Sequence, residues 1–91
     1  MNTISLSELK KISNPIIIDI RDNYSYNISH IKNSTNIPYY NLLNNYSHYL
    51  NKNNTYYLYC EEGKQSLEIS KRLNEFGYNT KSIKGGLNAL K

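Results

Sequence analysis

Three segments rich in β-branched or aromatic residues alternate with longer polar stretches along the chain. They lie at residues 16–20, 56–59 and 80–83, and each is short enough to form a single strand. Residues 39–50 and the segment that follows Ser66 instead place apolar side chains at helical spacing. Strands that alternate with helices predict an α/β fold, with a small, mainly parallel central sheet flanked by helices on both faces.

The first of these segments, residues 16–20, is an almost continuous run of isoleucine. Such a run is typical of a strand that is covered on both faces, as in a parallel sheet. Asp19 interrupts the run, and a buried carboxylate needs a hydrogen-bonding partner because it is costly to remove from water. Asp22 follows the strand, and we expect it to cap a short helix over residues 24–28.

Local signals also predict where other elements begin and end. Residues 3–6 are expected to be extended, and Ser7 is the expected N-cap of a short helix that Pro15 prevents from continuing. Gly77 is placed to end the helix that begins at Ser66, because glycine readily takes the left-handed conformation found just after helices.

Cys60 is the only cysteine of the chain, and it directly follows the predicted strand at residues 56–59. A polar loop that contains Gly63 then leads to Ser66, where we expect a helix to begin. Loop N–H groups can converge on the sulfur in this arrangement, and the helix dipole favours a thiolate, the nucleophilic form of cysteine. The alternative is a buried structural cysteine, a common state of free cysteine. The charged residues that follow Cys60 favour the reactive state.

The composition limits the classes of protein to which the chain can belong. Its 91 residues predict a single domain over residues 1–91. One cysteine and two distant histidines predict neither a disulfide nor a metal site. The net charge of +4 comes from scattered lysines, so no nucleic-acid partner is expected. No signal peptide follows Met1 and no apolar run approaches the roughly 18 residues of a membrane helix, so we expect a cytoplasmic protein that does not bind membranes.

Five short motifs occur along the chain. Each alone is weak evidence for a protein family, but their order and spacings together are specific. They are Asp19-Ile20-Arg21, His30-Ile31, Asn36-Ile37-Pro38, the loop pattern Cys-x-x-Gly-x-x-Ser at residues 60–66, and Gly85-Gly86. With these motifs the chain resembles a single-domain rhodanese over nearly its whole length. The resemblance implies a rhodanese-like fold and sulfurtransferase activity.

The resemblance also implies roles for individual residues. Cys60 is expected to be the catalytic residue, which accepts a sulfane sulfur from thiosulfate, a persulfide or a polysulfide and passes it to a thiol or cyanide acceptor. A partner protein can present that acceptor, and no metal or other cofactor is expected. The active loop is expected to bind the substrate mainly through its backbone N–H groups. Its residues are Glu61, Glu62, Gly63, Lys64, Gln65 and Ser66. Asp19 and Arg21 are expected to support the site as a structural pair, and His30 is expected to be structural rather than a general base.

The chain departs from the family pattern in its active loop. Gln65 stands where the family often has arginine, and Glu61 and Glu62 add negative charge beside the cysteine. We therefore expect weak activity with thiosulfate, which is an anion.

Two other functions use the same sequence features. The first is a rhodanese-fold interaction or regulatory module without catalysis, which the atypical loop favours. The second is a cysteine phosphatase or arsenate reductase, but the related phosphatases have a longer loop that ends in arginine. The physiological donor, the acceptor, the pathway and the oligomeric state have no signal in the sequence.

Overall fold

All strands of the sheet run parallel, which confirms the predicted α/β architecture. The computed structural model describes residues 2–90, and in this part of the chain the strand order is β1-β5-β4-β2-β3. The strands are β1 Thr3–Ile4, β2 Ile16–Asp19, β3 Thr35–Asn36, β4 Thr55–Tyr59 and β5 Asn79–Ile83. The helices are α1 Leu6–Leu9, α2 Asn23–Ile28, α3 Tyr39–Asn44, α4 Tyr46–Tyr49, α5 Lys64–Glu75 and a final 3₁₀ helix at Gly86–Leu90.

The central strand β4 separates two apolar clusters, one on each face of the sheet. Tyr56 and Leu58 point to the face that α3, α4 and α5 cover, and Cys60 belongs to the same cluster. Tyr57 and Tyr59 point to the opposite face, where α1 and the 3₁₀ helix pack. This alternation follows from the two-residue period of a strand, and it places helices on both faces as the sequence predicted.

The first helix begins earlier than the sequence analysis predicted. Ser5, and not Ser7, is the N-cap of α1, because its hydroxyl accepts a hydrogen bond from the N–H of Glu8 at 3.1 Å. The Glu8 carboxylate in turn accepts from the N–H of Ser5 at 2.9 Å. The side chains of Ser5 and Glu8 thus each accept a hydrogen bond from the backbone N–H of the other residue. This arrangement is a capping box, and it stabilises the start of the four-residue helix.

Three further elements differ from the predicted ones. The helix predicted over residues 39–50 is divided at Asn45, whose φ of −138° is not helical and whose side chain donates to the Asn41 carbonyl. The helix predicted to begin at Ser66 begins two residues earlier, at Lys64. The edge strand β3, Thr35–Asn36, was not predicted, since its two residues have no strand pattern of their own.

Other local predictions are confirmed. Asp22 caps α2, because its carboxylate accepts from the N–H of Ser25 at 2.7 Å. Gly77 follows α5 with a φ of +97°, and the Tyr78 N–H reaches back to the Leu73 carbonyl at 3.1 Å. This is the Schellman arrangement that glycine permits after a helix.

The register of the sheet brings the ends of β2 and β4 to one edge. Asp19 lies beside Tyr59 in the parallel ladder, and the N–H of Ile20 donates to the Tyr59 carbonyl at 3.0 Å. Arg21 and Glu61, which each lie two residues after one of these strands, therefore meet at the carboxyl end of the sheet. Ligands of α/β proteins bind at such an end. None of the helices within residues 2–90 has the length and apolar character needed to span a bilayer.

Candidate active site

Two backbone N–H groups point at the sulfur of Cys60. The N–H of Gly63 lies 3.1 Å from Sγ and the N–H of Ser66 lies 3.4 Å from it. Cys60 is only 3% exposed, so these donors replace much of the water that would otherwise solvate the sulfur. Both N–H groups are thus placed to donate hydrogen bonds to a negatively charged sulfur.

The loop that makes this arrangement is shorter than predicted. Only residues 60–63 separate β4 from α5, and not the six residues 60–65. Gly63 precedes α5 with a φ of +99°, a left-handed conformation that glycine adopts without strain. The shorter loop makes Ser66 the third residue of α5, and its N–H is one of those that a helix leaves without an internal partner. The N-terminus of α5 thus donates a backbone hydrogen bond directly to the sulfur.

The 3₁₀ helix binds the backbone carbonyl groups of the loop. The N–H of Leu87 donates to the Cys60 carbonyl at 2.9 Å, and the N–H of Asn88 donates to the Glu61 carbonyl at 3.0 Å. A Cβ added to Gly86 would lie 2.3 Å from the Cys60 carbonyl oxygen, so only glycine fits between the loop and the final helix. These contacts fix the orientation of the peptide groups next to the cysteine.

The polar side chains of the loop lie on its outer surface. Glu61, Glu62, Lys64 and Gln65 are exposed. Gln65 lines an open cleft of about 500 Å³, together with Arg21, Glu61 and the exposed Tyr40. The backbone of the loop therefore faces the sulfur, while its charged side chains face the solvent and the cleft.

Asp19 and Arg21 form an ion pair at the end of β2. Arg21 Nη2 lies 2.8 Å from Asp19 Oδ2, and the Arg21 backbone N–H donates to Asp19 Oδ1 at 2.8 Å. Asp19 is fully buried, so it needs these donors, and the hydrogen bond to Asp19 raises the pKa of the Arg21 guanidinium above its ordinary value. Arg21 also donates to Glu61 at 3.1 Å and to the Ser29 carbonyl. The pair thereby connects β2, the active loop and the end of α2.

Comparison with known proteins identifies the family of this chain. Residues 4–91 match the family model of the rhodanese-like domain. The chain belongs to the rhodanese-like family. It superimposes with a TM-score of 0.89 on the crystal structure of SSP1007 from Staphylococcus saprophyticus, at 29% identity over 100% of this chain and 94% of that one.

Two curated relatives are adenylyltransferases. A probable molybdopterin-synthase adenylyltransferase from Pyropia yezoensis is 35% identical over 94 aligned residues, and the match covers 97% of this chain and 25% of that protein. The adenylyltransferase and sulfurtransferase UBA4 from Debaryomyces hansenii is 38% identical over 84 residues, covering 82% of this chain and 19% of that protein. The rhodanese-like domain described here thus spans a quarter or less of these relatives.

His30 has contacts that fit a structural role in this rhodanese-like domain. Its Nδ1 lies 2.7 Å from the Tyr26 carbonyl oxygen, and its ring stacks on the Tyr26 ring at 3.8 Å. Both contacts hold the end of α2, and neither involves the cysteine. No cluster of three or more potential metal ligands occurs within residues 2–90.

Two parts of the site were not found in the sequence. The first is the pair of N–H groups from Leu87 and Asn88, because the Gly85-Gly86 motif before them does not show which carbonyls they bind. The second is Ser82 on β5, whose hydroxyl lies 2.6 Å from that of Ser66. Ser82 had a signal, since it lies two residues after Thr80 and both are buried polar residues on one face of the strand.

Substitution of Gly86 tests the support of the loop. We expect Gly86→Ala to lower the free energy of unfolding by about 1–3 kcal/mol more than Gly77→Ala, because its Cβ collides with the Cys60 carbonyl. Gly77 is a matched control, since its φ is also positive but an added Cβ meets only the flexible Lys52 side chain, at 3.3 Å. Urea unfolding measures both. Equal losses in the two variants would contradict the proposed contact.

Substitution of Arg21 tests whether it stabilises the buried carboxylate. We expect Arg21→Met to cost about 3 kcal/mol or more, because it leaves Asp19 buried without its cation. Glu61→Gln should cost less than about 1 kcal/mol, because the side chain of Glu61 is 47% exposed. The measurement is again urea unfolding. A loss in Arg21→Met no larger than that in Glu61→Gln would show that Asp19 does not depend on the guanidinium.

Proposed function

We propose that the domain is a sulfurtransferase or persulfide carrier that moves a sulfane sulfur through Cys60. The observation that carries this proposal is the convergence of the Gly63 and Ser66 N–H groups on the sulfur of the chain's only cysteine. Membership of the rhodanese-like family supports sulfur transfer in general terms. The same N–H groups suit a persulfide, whose terminal sulfur also carries negative charge.

The reaction takes place in two half-reactions. The Cys60 thiolate attacks the sulfane sulfur of a donor, a Cys60–sulfur bond forms, and the donor's own bond breaks. The leaving group, sulfite when thiosulfate is the donor, takes the bonding electron pair. A thiolate or cyanide acceptor then attacks the terminal sulfur, and the electron pair of the persulfide bond returns to Cys60. Covalent catalysis of this type gives ping-pong kinetics.

The charges around the loop favour donors other than thiosulfate. Glu61 and Glu62 repel an anion, and Arg21 is already paired with Asp19 and Glu61. Lys64 is the one cation within the loop pattern of residues 60–66. A persulfide carries at most one negative charge on its sulfur, whereas thiosulfate is a dianion, so we propose a persulfide as the better donor.

A partner protein or a neighbouring domain is the proposed source of the acceptor. Both curated relatives are adenylyltransferases, one of which is also named a sulfurtransferase, and each is at least four times as long as its matched region. In them a rhodanese-like domain accompanies further sequence. We propose the same working relation for this domain, with a thiophilic group delivered to Cys60 in the cytoplasm.

The second candidate is an interaction or regulatory module without catalysis. The observation in its favour is the burial of Cys60, which is 3% exposed, so that a donor reaches the sulfur only if the surrounding residues move. A phosphatase or arsenate reductase is less favoured, because the loop is even shorter than the sequence predicted and has no arginine.

Intact-protein mass spectrometry distinguishes the first two candidates. After incubation with a polysulfide, we expect the protein to gain one sulfur atom that dithiothreitol removes and that Cys60→Ser does not gain. Thiosulfate should load the protein more slowly. A folded protein whose thiol can be alkylated but which gains no sulfur from either donor would leave the interaction module as the remaining function.

Substitution of Gln65 tests the choice of donor. We expect Gln65→Arg to lower KM for thiosulfate about three- to tenfold at similar kcat, because a guanidinium in the cleft adds a charge-assisted hydrogen bond to the anion. Gln65→Met, which has a similar volume and no charge, is the control and should not lower KM. Steady-state kinetics with cyanide as acceptor measures the effect. An unchanged KM in Gln65→Arg would show that the missing cation does not limit thiosulfate binding.

A further inference from the structure

A chain of two buried hydroxyl groups connects the sulfur of Cys60 to β5. Ser66 Oγ lies 3.5 Å from Cys60 Sγ, and Ser82 Oγ lies 2.6 Å from Ser66 Oγ. Ser66 is 0% exposed and Ser82 is 1% exposed, so bulk solvent does not reach these oxygens. Within residues 2–90, both hydroxyls also lie near the Gly63 carbonyl oxygen, which is 3.3 Å from Ser66 Oγ and 3.5 Å from Ser82 Oγ.

The direction of these hydrogen bonds depends on the state of the sulfur. A protonated thiol donates to Ser66 Oγ, and the two hydroxyls then donate away from it, towards Ser82 and the Gly63 carbonyl. A thiolate accepts, so the Ser66 hydroxyl must turn towards Sγ. Its oxygen then needs a donor, and Ser82 is placed to provide one. The two O–H bonds rotate together, and no proton is transferred along the pair.

We propose that Ser82 is a positioning residue for the cysteine, because its hydroxyl holds the Ser66 hydroxyl towards the negatively charged sulfur. Without the Ser82 hydroxyl, Ser66 can still turn to the thiolate, but its buried oxygen loses its donor and the arrangement is less favourable. The hydroxyl pair therefore adds a third hydrogen bond to the two from the loop backbone. This role rests on the proposed use of Cys60 as a nucleophile.

The same two elements provide a matched control. Ser70 lies one helical turn after Ser66 on α5, and Thr80 lies two residues before Ser82 on β5. Their hydroxyls also meet at 2.6 Å, and both residues are buried. Thr80 Oγ1 has further partners in the Ser70 carbonyl and the Asn74 side chain, and none of these bonds reaches the sulfur. Ser70→Ala thus removes one hydroxyl of a buried pair without changing the hydrogen bonds to Cys60.

The test compares the rates at which iodoacetamide alkylates Cys60 between pH 6 and pH 9. We expect Ser82→Ala to slow alkylation at pH 7 about three- to tenfold, and to shift the rate profile to higher pH, because the thiolate loses support. The difference should become smaller towards pH 9, as a larger fraction of the thiol ionises in both proteins. Ser82→Thr, which keeps the hydroxyl, should restore the rate, and Ser70→Ala should leave it unchanged. The charged groups around the loop, Arg21, Glu61, Glu62 and Lys64, are the same in every variant.

Two outcomes would overturn the proposal. One is an equal rate in Ser82→Ala and wild type. The other is an equal slowing in Ser82→Ala and Ser70→Ala, which would show a general effect of lost packing on access to the thiol. Sulfur loading is measured on the same samples. Normal alkylation without sulfur loading in the wild type would reject the proposed sulfurtransferase and leave the test of Ser82 intact.

Discussion

A cysteine sulfur that is 3% exposed carries negative charge only if nearby donors replace the water it has lost. Much of the structure around Cys60 meets this requirement. The N–H groups of Gly63 and Ser66 approach the sulfur because the loop before α5 is only four residues long, and so short a loop needs the positive φ of Gly63. The final 3₁₀ helix then holds the loop carbonyls, and Gly86 permits the close approach.

The ion pair at the end of β2 has a different function, which is to connect elements rather than to act on the sulfur. Asp19 is buried for the same reason that β2 is apolar: the strand lies between β4 and β3 and is covered on both faces. Arg21 neutralises it and reaches the active loop through Glu61. The Arg21 guanidinium is therefore ion-paired with two carboxylates. Lys64 is then the cation that remains within residues 60–66, so the loop offers little positive charge to an anionic donor.

The sequence predicted the features that side-chain type determines locally. Strands β2 and β4, the cap at Asp22 and the helix end at Gly77 follow from isoleucine, tyrosine, aspartate and glycine at suitable positions. The position of Cys60 at the end of a strand was predicted for the same reason.

Features that depend on contacts between distant segments were not predicted. The start of α5 at Lys64 depends on the conformation of Gly63. That conformation depends in part on the packing of Gly63 against Gly85, which lies far away in the sequence. The edge strand β3 forms because its residues pair with the backbone of β2. Ser82 lies 16 residues from Ser66 in the chain, and only the pairing of α5 with β5 makes them neighbours.

The most direct test of this account is nuclear magnetic resonance of ¹⁵N-labelled protein before and after loading with a polysulfide. If the loop backbone binds the transferred sulfur, the largest amide shifts will fall within residues 60–66, with Gly63 and Ser66 among them, and Cys60→Ser will show none. The remaining amides should report an unchanged fold. Loading without shifts at Gly63 and Ser66, or shifts that are largest elsewhere, would contradict the central role of these two N–H groups.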